Sequence, residues 1–307
     1  MPLHAPHVAL LTGCALLLDR VLGEPRRWHP LAGFGRYAAW LEARLNRNGG
    51  SRGRGMLAWC AAVIPFLALT FLLSRAAPLR PWVDVGVLYF ALGLQSLREH
   101  AARVAGPLRA GDLPKARARV GEIVSRDTGS MQAEDVARAS VESVLENGND
   151  AVFGALFWFA LLGAPGALLY RLANTLDAMW GYRTARYLRF GWAAARLDDA
   201  LNFVPARLTA LSYAVLGHAR TALRCWRAQA GAWPSPNAGP VMASGAGSLR
   251  LLLGGPACYH GTIEQRPVLG AGRIPGAADI GRAMALVDRA VWLWLLGLLG
   301  AELVAHA

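Results

Sequence analysis

Carboxylate side chains recur at helical spacing in one short segment of this 307-residue chain. Glu142, Glu146 and Asp150 lie four residues apart, so they would share one face of an α-helix. Arg138 lies one turn earlier, where it could pair with Glu142. Like charges this close repel one another unless a cation lies between them. The segment therefore predicts either a solvated helix face or a cation site, and the apolar run that begins at Ala151 favours the site.

Two later segments combine carboxylates with amides. Asn174 and Asp177 are three residues apart and would share a helix face, and Asp198 and Asp199 are followed one turn later by Asn202. Paired aspartates beside an amide suit a hard divalent cation such as Mg²⁺, which takes one or two carboxylates and completes its shell with substrate phosphate oxygens. Both segments therefore predict a magnesium site at the edge of an apolar region.

A third type of segment pairs an arginine with an aspartate. Arg126, Asp127 and Thr128 follow a predicted helix that ends near Val124. Asp127 or Thr128 would be a natural N-cap for the next helix. Capping does not explain the adjacent Arg–Asp pair, which could equally hold a phosphate or a metal.

Glycine-rich stretches follow at Ser235–Gly239, Ser244–Ser248 and Gly254–Pro256. Loops of this composition can present backbone N–H groups to phosphate. The chain has no G-x-x-x-x-G-K-[ST] motif, and its single lysine, Lys115, is distant in sequence, so a P-loop ATPase is excluded.

Apolar runs must position these polar clusters. The chain is 54% hydrophobic and only 17% charged, against about a quarter charged in an ordinary soluble domain. Runs of about 20 residues match a hydrocarbon core of about 30 Å; the alternative for each run is a buried helix of a large soluble protein. We predict an all-α, polytopic membrane protein that forms one domain over 1–307, with cytoplasmic helical and Gly/Pro-rich loop regions. The candidate membrane segments are 8–18, 56–73, 81–97, 151–170 and 284–301.

The net charge of +12 comes almost entirely from arginine. Without a zinc finger or RNP signature, it indicates cytoplasmic loops of a protein in the lipid bilayer and no nucleic-acid partner. The positive-inside rule places 19–55, 98–150 and 171–283 in the cytoplasm and 74–80 outside.

Segment 151–170 is predicted to be a hairpin or re-entrant, because Gly163 and Pro165 could break the helix and a single crossing would place six arginines of 171–207 outside.

Smaller elements complete the prediction. Helices are expected at Arg103–Leu108, Leu113–Val124 and Ala133–Glu146. Leu208–Leu216 is too short to span and is expected to be a buried or interfacial helix. Residues 231–282 are predicted to be ordered loop with little helix, because they are rich in Gly and Pro.

The order of these motifs resembles the CobD/CbiB family of adenosylcobinamide-phosphate synthases, nearly from end to end. The matching motifs are Leu18–Pro25, His29-Pro30, Gly33, Glu42, Arg126–Thr128, Val141–Ser143, Glu146-Asn147, Asp150, Asn174–Asp177, Gly181-Tyr182, Gly191, Ala195–Asp199, Asn202, Pro205–Arg207, Ser235–Gly239, Gly245, Leu253–Pro256, Tyr259 and Gly261.

The resemblance implies a multi-pass ligase of the inner cell membrane whose polar regions face the cytoplasm. It would join a carboxylate of the corrinoid adenosylcobyric acid to (R)-1-amino-2-propanol or its O-phosphate, with ATP as co-substrate and Mg²⁺ as cofactor. It leaves open a homo-oligomer or a complex with other enzymes of the cobalamin pathway.

The predicted site residues fall into three groups, within which the carboxylates are either metal ligands or the base that deprotonates the amine. The predicted catalytic residues are Glu142, Glu146, Asp150, Asp198 and Asp199. The predicted substrate and phosphate ligands are Arg126, Thr128, Asn147, Asn174, Arg196, Asn202, Arg207, Asn237 and Gly239. The predicted metal ligands are Asp127, Asp177, Asp198 and Asp199.

Two other functions are weighed against the ligase. An intramembrane prenyltransferase would bind diphosphate through Mg²⁺ on Asp-rich motifs, but Asn202 occupies the place where a D-D-x-x-D motif needs its last aspartate. An AmpE-like sensory or regulatory protein, a membrane relative of the family, would not need the full set of carboxylates.

Overall fold

The protein is described by a computed structural model that covers residues 7–25, 29–47, 50–259 and 261–306. These residues are mostly helical, as predicted, and they also form four short strands. The chain divides into two compact units, each assembled from separate stretches of sequence. The first unit consists of Met1–Leu94, Asp150–Asn202 and Leu295–Ala307, and the second of Gln95–Asn149 and Phe203–Trp294.

The first unit is built from helices that pack through small side chains. Its elements include α1 (Val8–Leu22), α2 (Pro30–Leu45), α3 (Arg52–Arg75), α4 (Arg80–Ala91), α8 (Gly154–Leu162) and α9 (Ala164–Trp180). Ala58 and Ala62 of α3 are fully buried in a core that also contains Phe34, Leu176 and Trp180. Small residues on α3 let the aromatic side chains of its neighbours approach it closely.

The second unit combines helices with two short β-hairpins. Its elements include α5 (Leu94–Arg109), α6 (Leu113–Val120), α7 (Ala133–Gly148), α11 (Ala219–Gln229), α12 (Ala238–Leu249), β1 (Leu252–Gly254), β2 (Ala257–Tyr259), β3 (Thr262–Glu264) and β4 (Val268–Gly270). β1 pairs with β4, and β2 with β3, both antiparallel. Two long helices, α10 (Trp192–Leu216) and α13 (Ala277–His306), contain residues of both units.

The prediction of loop with little helix over 231–282 is wrong. Every residue of α12 is buried, although Gly and Ser make it a poor helix former by composition. The small side chains let neighbours approach its backbone: Gly245 lies against Leu145 of α7, and Gly247 against Ala222 of α11. Burial therefore offsets the weak propensity. Leu208–Leu216 is also not a separate element but the end of α10.

The predicted break within 151–170 is confirmed at Gly163, whose φ of 66° is in the left-handed region that favours glycine. Gly154 packs against the ring of Tyr170, and Gly166 against the carbonyl of Trp158. The second pair lies closer to Gly163 than the first on both helices, so α8 and α9 run antiparallel and form a hairpin. The carboxylate of Asp84 accepts a hydrogen bond from the backbone N–H of Ala164 at 3.0 Å and so caps α9.

Two described helices are long and apolar enough to cross a membrane: Arg52–Arg75 and Ala277–Ala305. They contain the predicted segments 56–73 and 284–301. Only 22% and 33% of their most apolar stretches are buried, whereas the core helix of a soluble protein would be mostly buried. Side chains such as Leu72 and Trp292, each more than 60% exposed, form an apolar exterior typical of contact with lipid.

The other three predicted segments fall on shorter helices. Residues 81–97 do not form one continuous helix: α4 ends at Ala91, Leu92 is extended, and the N–H of Gly93 donates to the carbonyl of Ala151 at 2.9 Å. The 12 residues of α4 extend only about 18 Å at ~1.5 Å per residue, short of a hydrocarbon core of about 30 Å.

We predict that Asp84→Ala lowers the free energy of unfolding by about 1 kcal/mol, because the first N–H of α9 loses its acceptor. The midpoint of thermal unfolding in detergent measures the change. Asp84→Asn is the matched control, since its side chain keeps an acceptor oxygen. Equal losses in both variants would contradict a capping role.

Candidate functional site

Four aspartates of the first unit, Asp150, Asp177, Asp198 and Asp199, form what we term the carboxylate cluster. Asp177 comes from α9, Asp198 and Asp199 come from α10, and Asp150 lies in a π-helical turn at Asn149–Phe153. A π-helical turn takes more residues than an α-helical one, so the four-residue spacing from Glu146 no longer predicts one face at Asp150. Asp150 instead interacts electrostatically with Asp177 and Asp198.

A hydrogen-bond network fixes the buried carboxylate of Asp198. Its two oxygens accept from the side-chain amides of Asn174 at 3.4 Å and Asn202 at 3.1 Å. The amide oxygen of Asn202 accepts from the hydroxyl of Tyr170 at 2.8 Å. The network joins α9 to α10, and both predicted asparagines belong to it. They position a carboxylate here.

The electrostatics of the cluster favour a bound cation. Burial, together with the negative charges of Asp150 and Asp177, raises the pKa of Asp198 to about 8. Burial and the charges of Asp150 and Asp199 raise the pKa of Asp177 to about 6. The pKa of Asp199 is also raised by burial, although Arg196 and Arg183 oppose the shift. A divalent cation would favour the ionised form of all these groups.

The donors of this cluster suit Mg²⁺ chemically, because aspartate oxygens are its preferred protein ligands. Among the described residues, no three His, Cys, Asp or Glu side chains are arranged tightly enough to form a metal site by themselves. This arrangement fits a hard cation held by one or two aspartates whose other ligands come from substrate phosphate and water.

In the second unit, Arg126, Glu142 and Arg266 form what we term the arginine–glutamate cluster. One oxygen of Glu142 lies 2.6 Å from Nη2 of Arg126 and 3.0 Å from Nη1 of Arg266. The other accepts from the backbone N–H of Gly254 at 2.7 Å. Nε of Arg266 donates to the carbonyl of Gly255 at 3.1 Å. The carboxylate is therefore satisfied on both oxygens, and the cluster keeps a net charge of +1.

Glu142 is ionised despite being almost completely buried. Burial by itself would raise the pKa of Glu142, but the charges and hydrogen bonds of Arg126 and Arg266 outweigh it and hold the pKa below its usual range. The predicted pairing of Arg138 with Glu142 is wrong: Arg138 pairs with Asp135, and its guanidinium donates to the carbonyl of Gly254. Arg126 and Arg266 reach Glu142 from outside its helix.

The arginine–glutamate cluster forms part of the wall of a cavity of about 260 Å³. Glu146 and Asn147 line the same cavity, together with the aromatic side chains of Trp233 and Tyr259. Asn147 donates to the carbonyl of Ser143 at 2.9 Å. Four of the predicted site residues (Arg126, Glu142, Glu146 and Asn147) therefore line one cavity, which contains both guanidinium and carboxylate groups.

Asp127 holds the β2–β3 hairpin. Its N–H donates to the carbonyl of Cys258 at 2.9 Å, and its carboxylate accepts from the N–H of Gly261 at 2.7 Å. The predicted N-cap at Asp127 or Thr128 is wrong: α7 is capped by Gln132 and Asp135 in a capping box. Asp127 belongs to the second unit and the other predicted metal ligands to the first.

Three of the remaining predicted ligands, Arg207, Asn237 and Gly239, have structural partners. Arg207 donates to Oδ1 of Asn237 at 2.7 Å and to the carbonyl of Pro236 at 3.0 Å, which ties α10 to the start of α12. Gly239 lies in the first turn of α12, against the carbonyl of Ala230, where a larger side chain would not fit. Arg196 is exposed and acts on Asp199 through its charge.

The sequence prediction missed Arg266 and Tyr170. Arg266 follows the β2–β3 hairpin in the region predicted to be loop, where no periodicity distinguishes one arginine from another. Tyr170 ends a predicted apolar run and therefore resembled a packing residue. The contact between Tyr170 and Gly154 distinguishes it from a packing residue. That contact could be recognised only once the α8–α9 hairpin was known.

We predict a pH-dependent effect of Asp198→Asn on stability. The unfolded chain loses the Asp198 proton near pH 4, whereas the folded chain keeps it up to about pH 8. Between these values the unfolded state binds fewer protons, so the free energy of unfolding falls as pH rises. The variant has no such proton. Without divalent cations, the unfolding midpoint of the variant relative to that of the wild type should therefore increase from pH 5 to pH 8 and stay constant above pH 8. A difference between the two midpoints that does not change with pH would contradict a buried, protonated Asp198.

We predict that Glu142→Gln lowers the free energy of unfolding by about 3 kcal/mol, because two buried guanidinium groups lose their counter-charge. Glu122→Gln is the control: Glu122 pairs with Arg119, and both side chains are more than 40% exposed, so the loss should stay below about 1 kcal/mol. Denaturant unfolding in detergent compares the two. Similar small losses would show that Glu142 does not hold the unit together.

Comparison with known proteins confirms the resemblance. The family model described as CobD/Cbib protein matches residues 12–287. "Cobalamin biosynthesis protein CobD" of Stutzerimonas stutzeri is 59% identical over 287 residues, covering 93% of this chain and 95% of the relative. The proteins of the same name from Chromobacterium violaceum and Mycobacterium tuberculosis are 56% identical, covering 97% of this chain and 98% of the relative, and 43% identical, covering 91% and 90%. No solved structure gives a significant match. The chain belongs to the CobD/CbiB family.

Proposed function

We propose that this chain is a membrane ligase that forms an amide bond at the expense of ATP. Its relatives are cobalamin biosynthesis proteins, and family membership gives this chain a role in the same pathway. The proposed substrates are adenosylcobyric acid, which supplies the carboxylate, and (R)-1-amino-2-propanol or its O-phosphate, which supplies the amine. The product is adenosylcobinamide or its phosphate.

The proposed chemistry has two steps. A carboxylate oxygen of the corrinoid attacks the γ-phosphorus of ATP, the bond to ADP breaks, and an acyl phosphate forms. The amine nitrogen, deprotonated by a carboxylate of the protein, then attacks the acyl carbon, and phosphate leaves as the amide forms. Negative charge accumulates in the first step and a proton must be removed in the second. A site for this reaction needs cations for phosphate and a carboxylate for the amine.

The observation that carries the proposal is the cavity lined by Arg126, Arg266 and Glu146. The two guanidinium groups and the one buried carboxylate of the arginine–glutamate cluster leave a net positive charge, which suits a phosphate. Glu146 lines the same cavity and could accept a proton from an ammonium group. The cavity is large enough for a small amino alcohol and its phosphate. We therefore place the amine co-substrate here, with its phosphate on the arginines and its nitrogen towards Glu146.

The carboxylate cluster is proposed to act on the nucleotide. One or two of the aspartates Asp177, Asp198 and Asp199 would hold Mg²⁺, which would shield the phosphate charge during transfer. Asn174 and Asn202 position the carboxylate of Asp198 through their hydrogen bonds. This role is supported by the pKa values of Asp177 and Asp198, which burial and then the repulsion between neighbouring aspartates raise. A cation would relieve that repulsion.

The contacts of Asn202 argue against the prenyltransferase alternative. This residue takes the place of the last aspartate in a D-D-x-x-D motif, and both ends of its amide are engaged, one by Tyr170 and the other by Asp198. It therefore supports a ligand rather than acting as a third carboxylate.

The proposed location is the inner cell membrane, with both polar clusters reached from the cytoplasm. Two long apolar helices with exposed side chains support membrane insertion. The multi-pass topology and the cytoplasmic orientation follow from the arginine distribution and are part of the proposal.

The test is amide formation by the purified protein in detergent, with adenosylcobyric acid, aminopropanol phosphate, ATP and Mg²⁺. We expect Asp199→Asn to lower turnover by about 100-fold or more, because phosphate charge in the transition state loses a metal ligand. Glu122→Gln, an exposed carboxylate-to-amide change, should turn over normally. No amide and no ADP from the wild type would overturn the ligase, and normal turnover by Asp199→Asn would overturn the assignment of the metal.

A further inference from the structure

A cavity in the first unit lies beside the turn between α8 and α9. Val8 and Leu11 of α1, Ser74 and Arg75 at the end of α3, and Asp84 of α4 are among its lining residues. It shares no lining residue with the carboxylate cluster or the arginine–glutamate cluster. The proposed ligase reaction gives this cavity no role.

Much of the cavity wall is apolar and open to the exterior. Phe71, Leu161 and Leu162 line the cavity and are each nearly half exposed. On α3, Leu69 and Leu72 beside Phe71 are more than half exposed. The cavity therefore opens among apolar side chains on the surface that we assign to lipid contact, and a ligand entering there would keep an apolar portion against them.

Polar groups with unused hydrogen-bonding capacity lie in the same cavity. The hydroxyl oxygen of Ser74 is buried and has no hydrogen-bond partner in the described part of the chain. The guanidinium carbon of Arg75 lies 4.6 Å from the ring centroid of Phe71, and Arg75 forms no ion pair with a described carboxylate. Arg80 lies 3.7 Å from Asp84, whose other oxygen caps α9. Two arginines and one aspartate leave a net charge of +1.

Helix ends from four elements meet at this cavity. Val8 begins α1, Arg75 ends α3, Arg80 begins α4 and Leu162 ends α8. If α3 crosses the bilayer, its end at Arg75 lies at the level of the phosphate groups of one leaflet. Arginine side chains at the end of a span reach this level. The cavity then has its cations at phosphate depth and its apolar wall at acyl-chain depth.

We propose that this cavity binds one anionic phospholipid. Its phosphate lies between Arg75 and Arg80, and the Ser74 hydroxyl donates to a phosphate or ester oxygen. An acyl chain follows Phe71, Leu161 and Leu162. A singly negative headgroup complements the net charge of +1 better than a zwitterionic one does. The apolar wall favours a lipid over free phosphate. This inference depends on membrane insertion and not on the ligase reaction.

The test measures lipid binding to the detergent-purified full chain by native mass spectrometry, with titration of phosphatidylglycerol. Two variants alter the cavity in different ways: Arg75→Gln/Arg80→Gln removes its two positive charges, and Ser74→Leu fills it while the charges remain. We expect the apparent Kd for phosphatidylglycerol to rise about tenfold or more in each. Arg220→Gln/Arg224→Gln, which removes two exposed arginines of α11 in the second unit, should bind like the wild type.

Unfolding midpoints of the same samples separate lost binding from lost folding, because Ser74→Leu leaves the Arg80–Asp84 pair intact. Weakened binding by a variant that keeps the wild-type midpoint supports the site. Wild-type affinity in both cavity variants would overturn it. Equal affinity for phosphatidylcholine, or equal stabilisation by inorganic phosphate, would overturn the choice of an anionic lipid.

Discussion

The buried carboxylate of Glu142 imposes a strict constraint on the fold of the second unit. An ionised group this deep is tolerated only if counter-charges and N–H donors surround it. Those partners come from the segment before α7, from the end of β1 and from the segment between β3 and β4, so Arg126, Gly254 and Arg266 must all be in place together. One carboxylate therefore fixes three segments that are distant in sequence. The same interactions place two guanidinium groups at one end of a polar cavity.

In the first unit, close helix packing has the equivalent role for the carboxylate cluster. The ring of Tyr170 lies against Gly154, where any larger residue would displace it. From there its hydroxyl reaches Asn202, and Asn202 reaches Asp198. Gly181 similarly leaves room for the carboxylate of Asp177 one turn earlier. Glycines at these contacts thus decide where polar groups point, because tight packing transmits the position of one side chain to the next.

The two clusters illustrate two ways of placing charge inside a chain with an apolar exterior. In the arginine–glutamate cluster two guanidinium groups of the protein surround one carboxylate, so the carboxylate is ionised and its pKa is low. In the carboxylate cluster like charges accumulate, and the pKa values of Asp177 and Asp198 are raised. The first arrangement stabilises structure and offers a residual positive charge. In the second, the repulsion is relieved only by protons or by a cation, which suits the proposed binding of a metal ion together with a charged substrate.

The sequence by itself determined the family, the helical class, the candidate spans α3 and α13 and the break near Gly163. Motif order, long apolar runs and a glycine two residues before a proline are all local signals. The sequence also identified most of the polar residues that form the carboxylate cluster and the arginine–glutamate cluster. The tertiary structure decided which of these residues contact one another. Arg266 joins Glu142 only when the strands fold back, Arg138 turns to Asp135 instead, and Asp150 leaves the face of Glu146 because a π-helical turn intervenes. The buried helix α12 could not be predicted from the sequence either. It is stabilised by neighbours that approach its small side chains, and a local sequence pattern contains no information about those contacts.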